Sequence, residues 1–107
     1  MLTDSAIQQA VARVVAAAQA PLKVILFGSY ARGDADEGSD LDLLVVEREI
    51  ADATGEYLRL RDAVGLLGVG VDLLLYPAEQ FEQRRDWCST PVYWAVREGK
   101  LLYDIAP

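Results

Sequence analysis

Two short apolar runs separated by a polar segment dominate the hydrophobic pattern of this chain. The first, Val24 to Phe27, stops at Gly28-Ser29, and the second, Leu43 to Val46, follows a segment of turn-forming and charged residues. Apolar runs of this length are typical of strands that are buried on both faces of a sheet. We therefore predict one strand over Leu22 to Phe27 and another over Leu41 to Glu47.

A helix is predicted before the first strand, and a single helical turn after it. From Thr3 to Gln19 apolar residues recur at helical spacing, and Ser5 and Gln8 have the spacing of a capping box. Pro21 ends this helix. After the first strand, Ser29 to Arg32 is long enough for about one helical turn before Gly33.

The second half of the chain predicts further helices and two more strands. Helices are expected over Ala53 to Leu67, over Pro77 to Arg85, and between Thr90-Pro91, which have N-cap and N1 character, and Gly99. Strands are expected over Val69 to Tyr76 and, as a short fourth strand, over Leu101 to Asp104. We expect Trp87 and Trp94 in the core rather than at a contact with a partner.

Connection rules constrain how these strands pair. Ser29 follows the first strand and Asp40 precedes the second, so neighbouring strands that bring both residues to one site must run antiparallel. The helix between the second and third strands makes a right-handed crossover the expected connection, and those strands are then parallel. The predicted fold is α/β, a small mixed sheet of three core strands with a short fourth, packed with helices. Asp72 on the third strand then falls near Asp40 and Asp42.

Composition narrows the classes of function. A length of 107 residues with 52% hydrophobic residues favours one folded domain over residues 1–107. No apolar run approaches the roughly 20 residues of a membrane helix, and the N-terminus lacks a signal peptide pattern, so we expect a cytoplasmic protein. A net charge of −7 argues against direct nucleic-acid binding. With no His and the lone Cys88, zinc and imidazole chemistry are not expected.

Candidate chemistry lies between the two apolar runs, in the pattern Gly-Ser, ten residues, Asp-x-Asp. Gly28 lets the backbone approach a ligand closely, and Ser29 offers a hydroxyl and an N–H group at a helix start, where phosphates bind. Asp40 and Asp42 share one face of a strand, where like charges repel unless a cation lies between them. Mg²⁺ favours such oxygen ligands together with substrate phosphates. The pattern therefore indicates phosphoryl or nucleotidyl transfer.

The segment GSYARGDADEGSDLDLLVV resembles the signature of the nucleotidyltransferase superfamily that includes DNA polymerase beta. It is most similar to that of the minimal nucleotidyltransferase (MNT) domains, which are about the size of this chain. In this family a third acidic residue follows on a later strand, and Asp72 is the candidate. An acid inside an otherwise apolar strand is unfavourable unless it is paired or binds a metal. The resemblance implies a nucleotidyltransferase fold over essentially the whole chain.

The same resemblance implies an active site with two Mg²⁺ ions and ATP as the substrate. Asp40 and Asp42 would hold both ions, and Asp72 would bind the catalytic ion and could accept the proton of the acceptor hydroxyl. Gly28 and Ser29 would hold the outgoing phosphates. Arg32 is a candidate phosphate contact, with a solvated surface arginine as an equal alternative.

The resemblance also implies a partner. MNT proteins of this size are typically antitoxins that act with an all-helical HEPN toxin, and the characterised type transfers AMP from ATP to a tyrosine of that toxin. Our leading hypothesis is therefore an antitoxin that acts as a Mg²⁺-dependent protein adenylyltransferase. Two alternatives stay open: an antitoxin that neutralises its toxin by contact alone, and a nucleotidyltransferase for a small molecule whose acceptor pocket comes from a partner subunit.

Overall fold

Helices and strands alternate along the chain. The computed structural model describes residues 1–105. Its strands are β1 (Pro21–Phe27), β2 (Leu41–Glu47), β3 (Val71–Pro77) and β4 (Lys100–Asp104). Its helices are α1 (Asp4–Ala17), α2 (Ser29–Arg32), α3 (Ala53–Val64), α4 (Ala78–Arg84) and α5 (Pro91–Glu98). The predicted α/β fold is confirmed, and the short fourth strand is present.

The strands form one mixed sheet in the order β3-β2-β1-β4. β1 is antiparallel to β2 and β2 is parallel to β3, both as predicted. β1 also pairs antiparallel with β4, for which no pairing was predicted. In the register of the sheet Phe27 lies opposite Asp42, and Asp42 lies beside Asp72. The C-terminal end of β1 and the N-terminal ends of β2 and β3 therefore meet at one edge of the sheet.

Side chains that alternate along the two central strands build a core on each face of the sheet. One core contains Val24, Leu26, Leu43 and Val45 and is closed by buried residues of α1 and α3. The other contains Ile25, Leu44 and Val46 and is closed by buried residues of α4 and α5: Phe81, Val92 and Ala95. Because successive strand residues face opposite sides, Asp42 lies on the same face as Leu44, the face of α4 and α5.

Three helices have boundaries that differ from the prediction. The helix α1 ends at Ala17 instead of Gln19, and α4 is one residue shorter at each end than predicted. The N-cap of α1 is Thr3 rather than Ser5, since the Thr3 hydroxyl accepts the Ala6 N–H at 3.1 Å. The helix α3 ends at Val64 instead of Leu67, because Gly65 has a φ of 72° and the chain leaves the helical conformation there. A left-handed φ is accessible to glycine without the steric penalty that a Cβ brings.

The start and the end of α5 are as predicted. The Thr90 hydroxyl accepts the Tyr93 N–H at the N-terminus, Pro91 occupies the first turn, and Gly99 follows the last. A Cβ on Gly99 would lie 2.6 Å from Cγ2 of Ile25 and 2.8 Å from the carbonyl oxygen of Leu26. The glycine therefore lets the end of α5 pack directly on β1.

The prediction that both tryptophans lie in the core is wrong. Trp87 is 57% exposed and Trp94 is 50% exposed. In α5 the buried positions are Val92 and Ala95, so Trp94 projects toward solvent between them. Its indole Nε1–H donates to the carbonyl of Cys88 at 3.0 Å, which fixes the ring on the surface.

Two buried carboxylates fix the turn between α1 and β1. Oε1 of Glu47 accepts the Ala20 N–H and Oε2 of Glu56 accepts the Gln19 N–H, both at 3.1 Å, and Glu56 also pairs with Arg59. The second oxygen of Glu47 is buried and has no hydrogen-bond partner among the described residues 1–105. Glu47 ends β2 at the opposite end from Asp42, so this pair of acids is structural. Within residues 1–105, no helix has the length and apolar character needed to span a bilayer.

Candidate active site

Asp42 is the carboxylate around which the candidate site is built. It is the second residue of β2 and is half-buried. Opposite it, β1 ends at Phe27 and the chain turns at Gly28, which has a φ of 72°. A Cβ on Gly28 would overlap the Asp42 carboxylate, with its Cγ only 2.9 Å away. Glycine is therefore required at this position twice, for the backbone conformation and for the space that Asp42 occupies.

Asp72 lies directly beside Asp42, because the two residues are paired in the parallel register of β2 and β3. Burial raises the pKa of Asp42 to about 6, and the charges of Asp72 and Asp40 and a hydrogen bond with Asp72 act in the same direction. The charge of Arg32 lowers this pKa. At neutral pH the protein therefore holds negative charges close together, an arrangement that a cation would stabilise.

Asp72 is not a buried acid, although the sequence singled it out as one. The prediction treated this residue as an acid inside an apolar strand, which would be unfavourable unless it were paired. In the structure β3 is an edge strand and Asp72 is exposed, so its charge is not desolvated. Asp42 is the partly buried acid instead, because β2 is a central strand of the sheet.

Asp40 completes the group of acids from the loop just before β2. It is exposed, and its charge is close enough to raise the pKa of Asp42. Its carboxylate lies over the backbone of Gly70, the residue before β3. The three predicted acids therefore come together at one edge of the sheet.

Ser29 begins α2 immediately after the glycine turn. The carbonyl of Gly28 accepts the N–H groups of Ala31 and Arg32, and the carbonyl of Ser29 accepts those of Gly33 and Asp34. These bonds form the single helical turn that the sequence predicted, and Gly33 ends it with a φ of 85°. Ser29 is thereby held at the same edge of the sheet as Asp42.

Arg32 lies on the exposed side of α2. Its guanidinium pairs with Asp34 at 3.4 Å and with Glu98, the last residue of α5, at 3.7 Å. Exposed pairs of this kind contribute about 0–1 kcal/mol and exchange readily with solvent. The charge of Arg32 also lowers the pKa of Asp42, so its guanidinium lies near the acids.

The carboxylates of Asp40, Asp42 and Asp72 are the type of ligand that Mg²⁺ prefers. Within residues 1–105, no three side chains of His, Cys, Asp or Glu are already arranged as a metal-binding group. Mg²⁺ does not require such a group, since it commonly binds through one or two carboxylates, several waters and the phosphates of a substrate. The adjacent carboxylates of Asp42 and Asp72, with Asp40 nearby, match this requirement.

Solved structures show which known fold this chain shares. A chain in the crystal structure of a toxin–antitoxin pair with AMP-PNP matches with a TM-score of 0.70 and 21% identity, over 98% of this chain and 76% of that chain. A chain in the structure of a tri-AMPylated Shewanella oneidensis HEPN toxin in complex with an MNT antitoxin matches with a TM-score of 0.64 and 16% identity, over 96% and 73%. At these identities the likeness establishes the nucleotidyltransferase fold.

Sequence comparison establishes the family. The model of the nucleotidyltransferase domain family matches residues 8–93. A relative from Methanocaldococcus jannaschii, named as a protein adenylyltransferase, is 36% identical over 83 residues, which cover 76% of this chain and 77% of that protein. The chain therefore belongs to the nucleotidyltransferase domain family, and the protein is a nucleotidyltransferase.

Proposed function

We propose that this protein is an MNT antitoxin that transfers AMP from ATP to a tyrosine of a HEPN-type toxin in a Mg²⁺-dependent reaction. The observation that carries the proposal is the register of the sheet, in which Asp42 lies beside Asp72 and opposite Phe27, next to the Gly28-Ser29 turn. The carboxylates and the start of α2 then belong to one site. The relative named as a protein adenylyltransferase supports a protein acceptor.

Each site residue has a proposed role. Asp40, Asp42 and Asp72 would hold two Mg²⁺ ions, which when bound neutralise phosphate charge and lower the pKa of the attacking hydroxyl. Gly28 and Ser29 would hold the outgoing phosphates of ATP, and Arg32 would leave its exposed ion pairs to contact them. Residues 1–107 would form one minimal nucleotidyltransferase domain.

The reaction needs one new bond and one broken bond. The acceptor oxygen attacks the α-phosphorus, the bond from that phosphorus to the bridging oxygen breaks, and pyrophosphate leaves with its electron pair. Asp72 is exposed beside the half-buried Asp42 and can accept the proton of the hydroxyl. A hydroxyl held roughly 3–3.5 Å from the phosphorus is required for in-line attack.

The partner is proposed from the exposure of the acids and from the fold neighbours. Asp40 and Asp72 are both exposed at the sheet edge, so a bound protein can bring its own hydroxyl to the site. One fold neighbour comes from a complex between an AMPylated HEPN toxin and an MNT antitoxin. The net charge of −7 favours a protein acceptor over a nucleic acid, whose phosphates would be repelled.

Labelled ATP tests the proposal. The chain is incubated with Mg²⁺, ATP labelled at the α-phosphate and the proposed HEPN-type toxin, and covalent label is measured by gel and mass spectrometry. We expect label on a tyrosine of the partner and none with Asp42→Asn. The matched control is Asp52→Asn, which removes the same charge at the N-cap of α3, where asparagine caps as well as aspartate does.

The two alternatives give different outcomes in the same experiment. If the partner is inhibited without label and Asp42→Asn inhibits it equally, the protein is an antitoxin that acts by contact. If label appears on a small molecule only when the partner is present, the acceptor is that molecule. Either outcome overturns adenylyl transfer to the toxin.

A further inference from the structure

We propose that Gly70 is a positioning residue of this site, because the space left by its missing side chain sets the direction of the Asp40 carboxylate. The inference rests on the proposed function, in which Asp40 is a metal ligand. Gly70 falls within the strand predicted over Val69 to Tyr76, whereas β3 begins one residue after it, at Val71. A glycine so close in sequence to Asp72 is the one signal of this role that the chain offers.

The carboxylate of Asp40 occupies the volume that a side chain at position 70 would fill. A Cβ on Gly70 would overlap Oδ1 of Asp40 and lie 2.9 Å from Cγ and 3.5 Å from Oδ2. Because Cγ is also too close, turning the terminal oxygens would not relieve the overlap. The whole carboxylate would have to rotate about the Cα–Cβ bond, away from Gly70 at the start of β3.

Nothing else within residues 1–105 holds this carboxylate in place. Asp40 is exposed, and no hydrogen bond or ion pair joins its side chain to another described residue. The backbone, in contrast, is fixed, since the Leu41 N–H donates to the carbonyl of Gly70 at 2.8 Å. This bond holds the two chain segments together, so a larger side chain at position 70 has to displace Asp40 and not the backbone.

The backbone conformation does not require glycine at this position. The described glycines with a left-handed φ are Gly28, Gly33, Gly65 and Gly68, and Gly70 is outside that group. Alanine is therefore accessible to the main chain at position 70, and the nearest obstacle is the Asp40 carboxylate. Gly70→Ala should therefore change the position of a metal ligand without changing the stability of the fold.

Affinity for Mn²⁺ without nucleotide tests the inference on the intact chain. Free Mn²⁺ is measured by electron paramagnetic resonance in titrations of the wild type and of Gly70→Ala. Loss of support for a metal ligand typically reduces affinity by about 10–100-fold, and we expect a rise in the dissociation constant of that size. Thermal unfolding without metal should be nearly unchanged, which separates the effect from misfolding.

The chain provides a matched control. A Cβ on Gly55 would overlap the carboxylate of Asp52 in the same way, with Cγ 3.0 Å away, but at the N-terminus of α3 and remote from the acids of the site. Gly55→Ala should leave Mn²⁺ affinity unchanged. An equal loss in both variants would contradict a specific role for Gly70.

A double-mutant cycle separates positioning from a general effect on the site. Once Asp40→Asn has removed the charge, Gly70→Ala should change the Mn²⁺ dissociation constant by less than about twofold. The inference is overturned if the full effect persists in that background, or if Gly70→Ala alone binds Mn²⁺ as the wild type does. If the wild type binds no Mn²⁺ either without nucleotide or with ATP, the proposed function fails, and the rotamer of Asp40 in a crystal structure of Gly70→Ala decides the inference by itself.

Discussion

Asp42→Asn should stabilise the metal-free protein at neutral pH while it abolishes transfer. The pKa of Asp42 rises from 3.8 to about 6 on folding. At about 1.4 kcal/mol per unit this is a penalty of about 3 kcal/mol for the ionised form. Because the side chain is only partly buried, solvent screening reduces the figure to about 1 kcal/mol. An asparagine amide has no charge and can donate a hydrogen bond to Asp72, as the protonated acid does.

The sign of the pH dependence follows from proton binding. Between pH 3.8 and about 6 the folded protein holds a proton on Asp42 that the unfolded chain has lost. The free energy of unfolding therefore falls as the pH rises through this window, and the full penalty applies above it. The advantage of Asp42→Asn should be about 1 kcal/mol at pH 8 and should nearly vanish at pH 4.

Urea unfolding in EDTA, followed by circular dichroism at pH 8 and at pH 4, measures this difference. In a separate thermal unfolding experiment at pH 8, the midpoint of Asp42→Asn should be roughly 4 °C above that of the wild type for a domain of this size. Asp52→Asn, which removes a carboxylate at a helix N-cap outside the site, should give no gain in stability at pH 8. A variant that is less stable than the wild type at pH 8, or that differs equally at both pH values, would refute the reasoning.

Three further outcomes are expected. Calorimetric titration with ATP should show binding in Mg²⁺ or Mn²⁺ and little in EDTA, because clustered acids repel phosphates without a cation; equal affinity would contradict the metal site. Gly28→Ala should lower the free energy of unfolding by at least about 1 kcal/mol in urea and abolish transfer, since its φ of 72° and the overlap with Asp42 both oppose a Cβ. Glu47→Ala should destabilise the fold by about 2 kcal/mol without changing metal affinity, because the Ala20 N–H loses its acceptor.

Local patterns in the sequence determined the elements and much of the candidate site. The apolar runs predicted β2 with its observed bounds, and the Gly28-Ser29 break predicted the single turn of α2. These predictions held because β1 and β2 are the central strands of the sheet, and their side chains are buried in the core on each face. The requirement that Ser29 and Asp40 reach one site predicted the antiparallel pair, and the rule for a strand-helix-strand connection predicted the parallel pair.

Only the tertiary structure decided which of these residues are buried and which are exposed to solvent. Whether an acid is desolvated depends on the neighbours of its strand, so the sheet order exposes Asp72 on an edge strand and half-buries Asp42. The same is true of Trp94, which a helical pattern cannot assign to core or surface while the packing partner is unknown. The role of Gly70 depends on Asp40, which lies far from it in sequence and against it in space. Contacts between distant segments are set by packing, and local sequence carries no record of them.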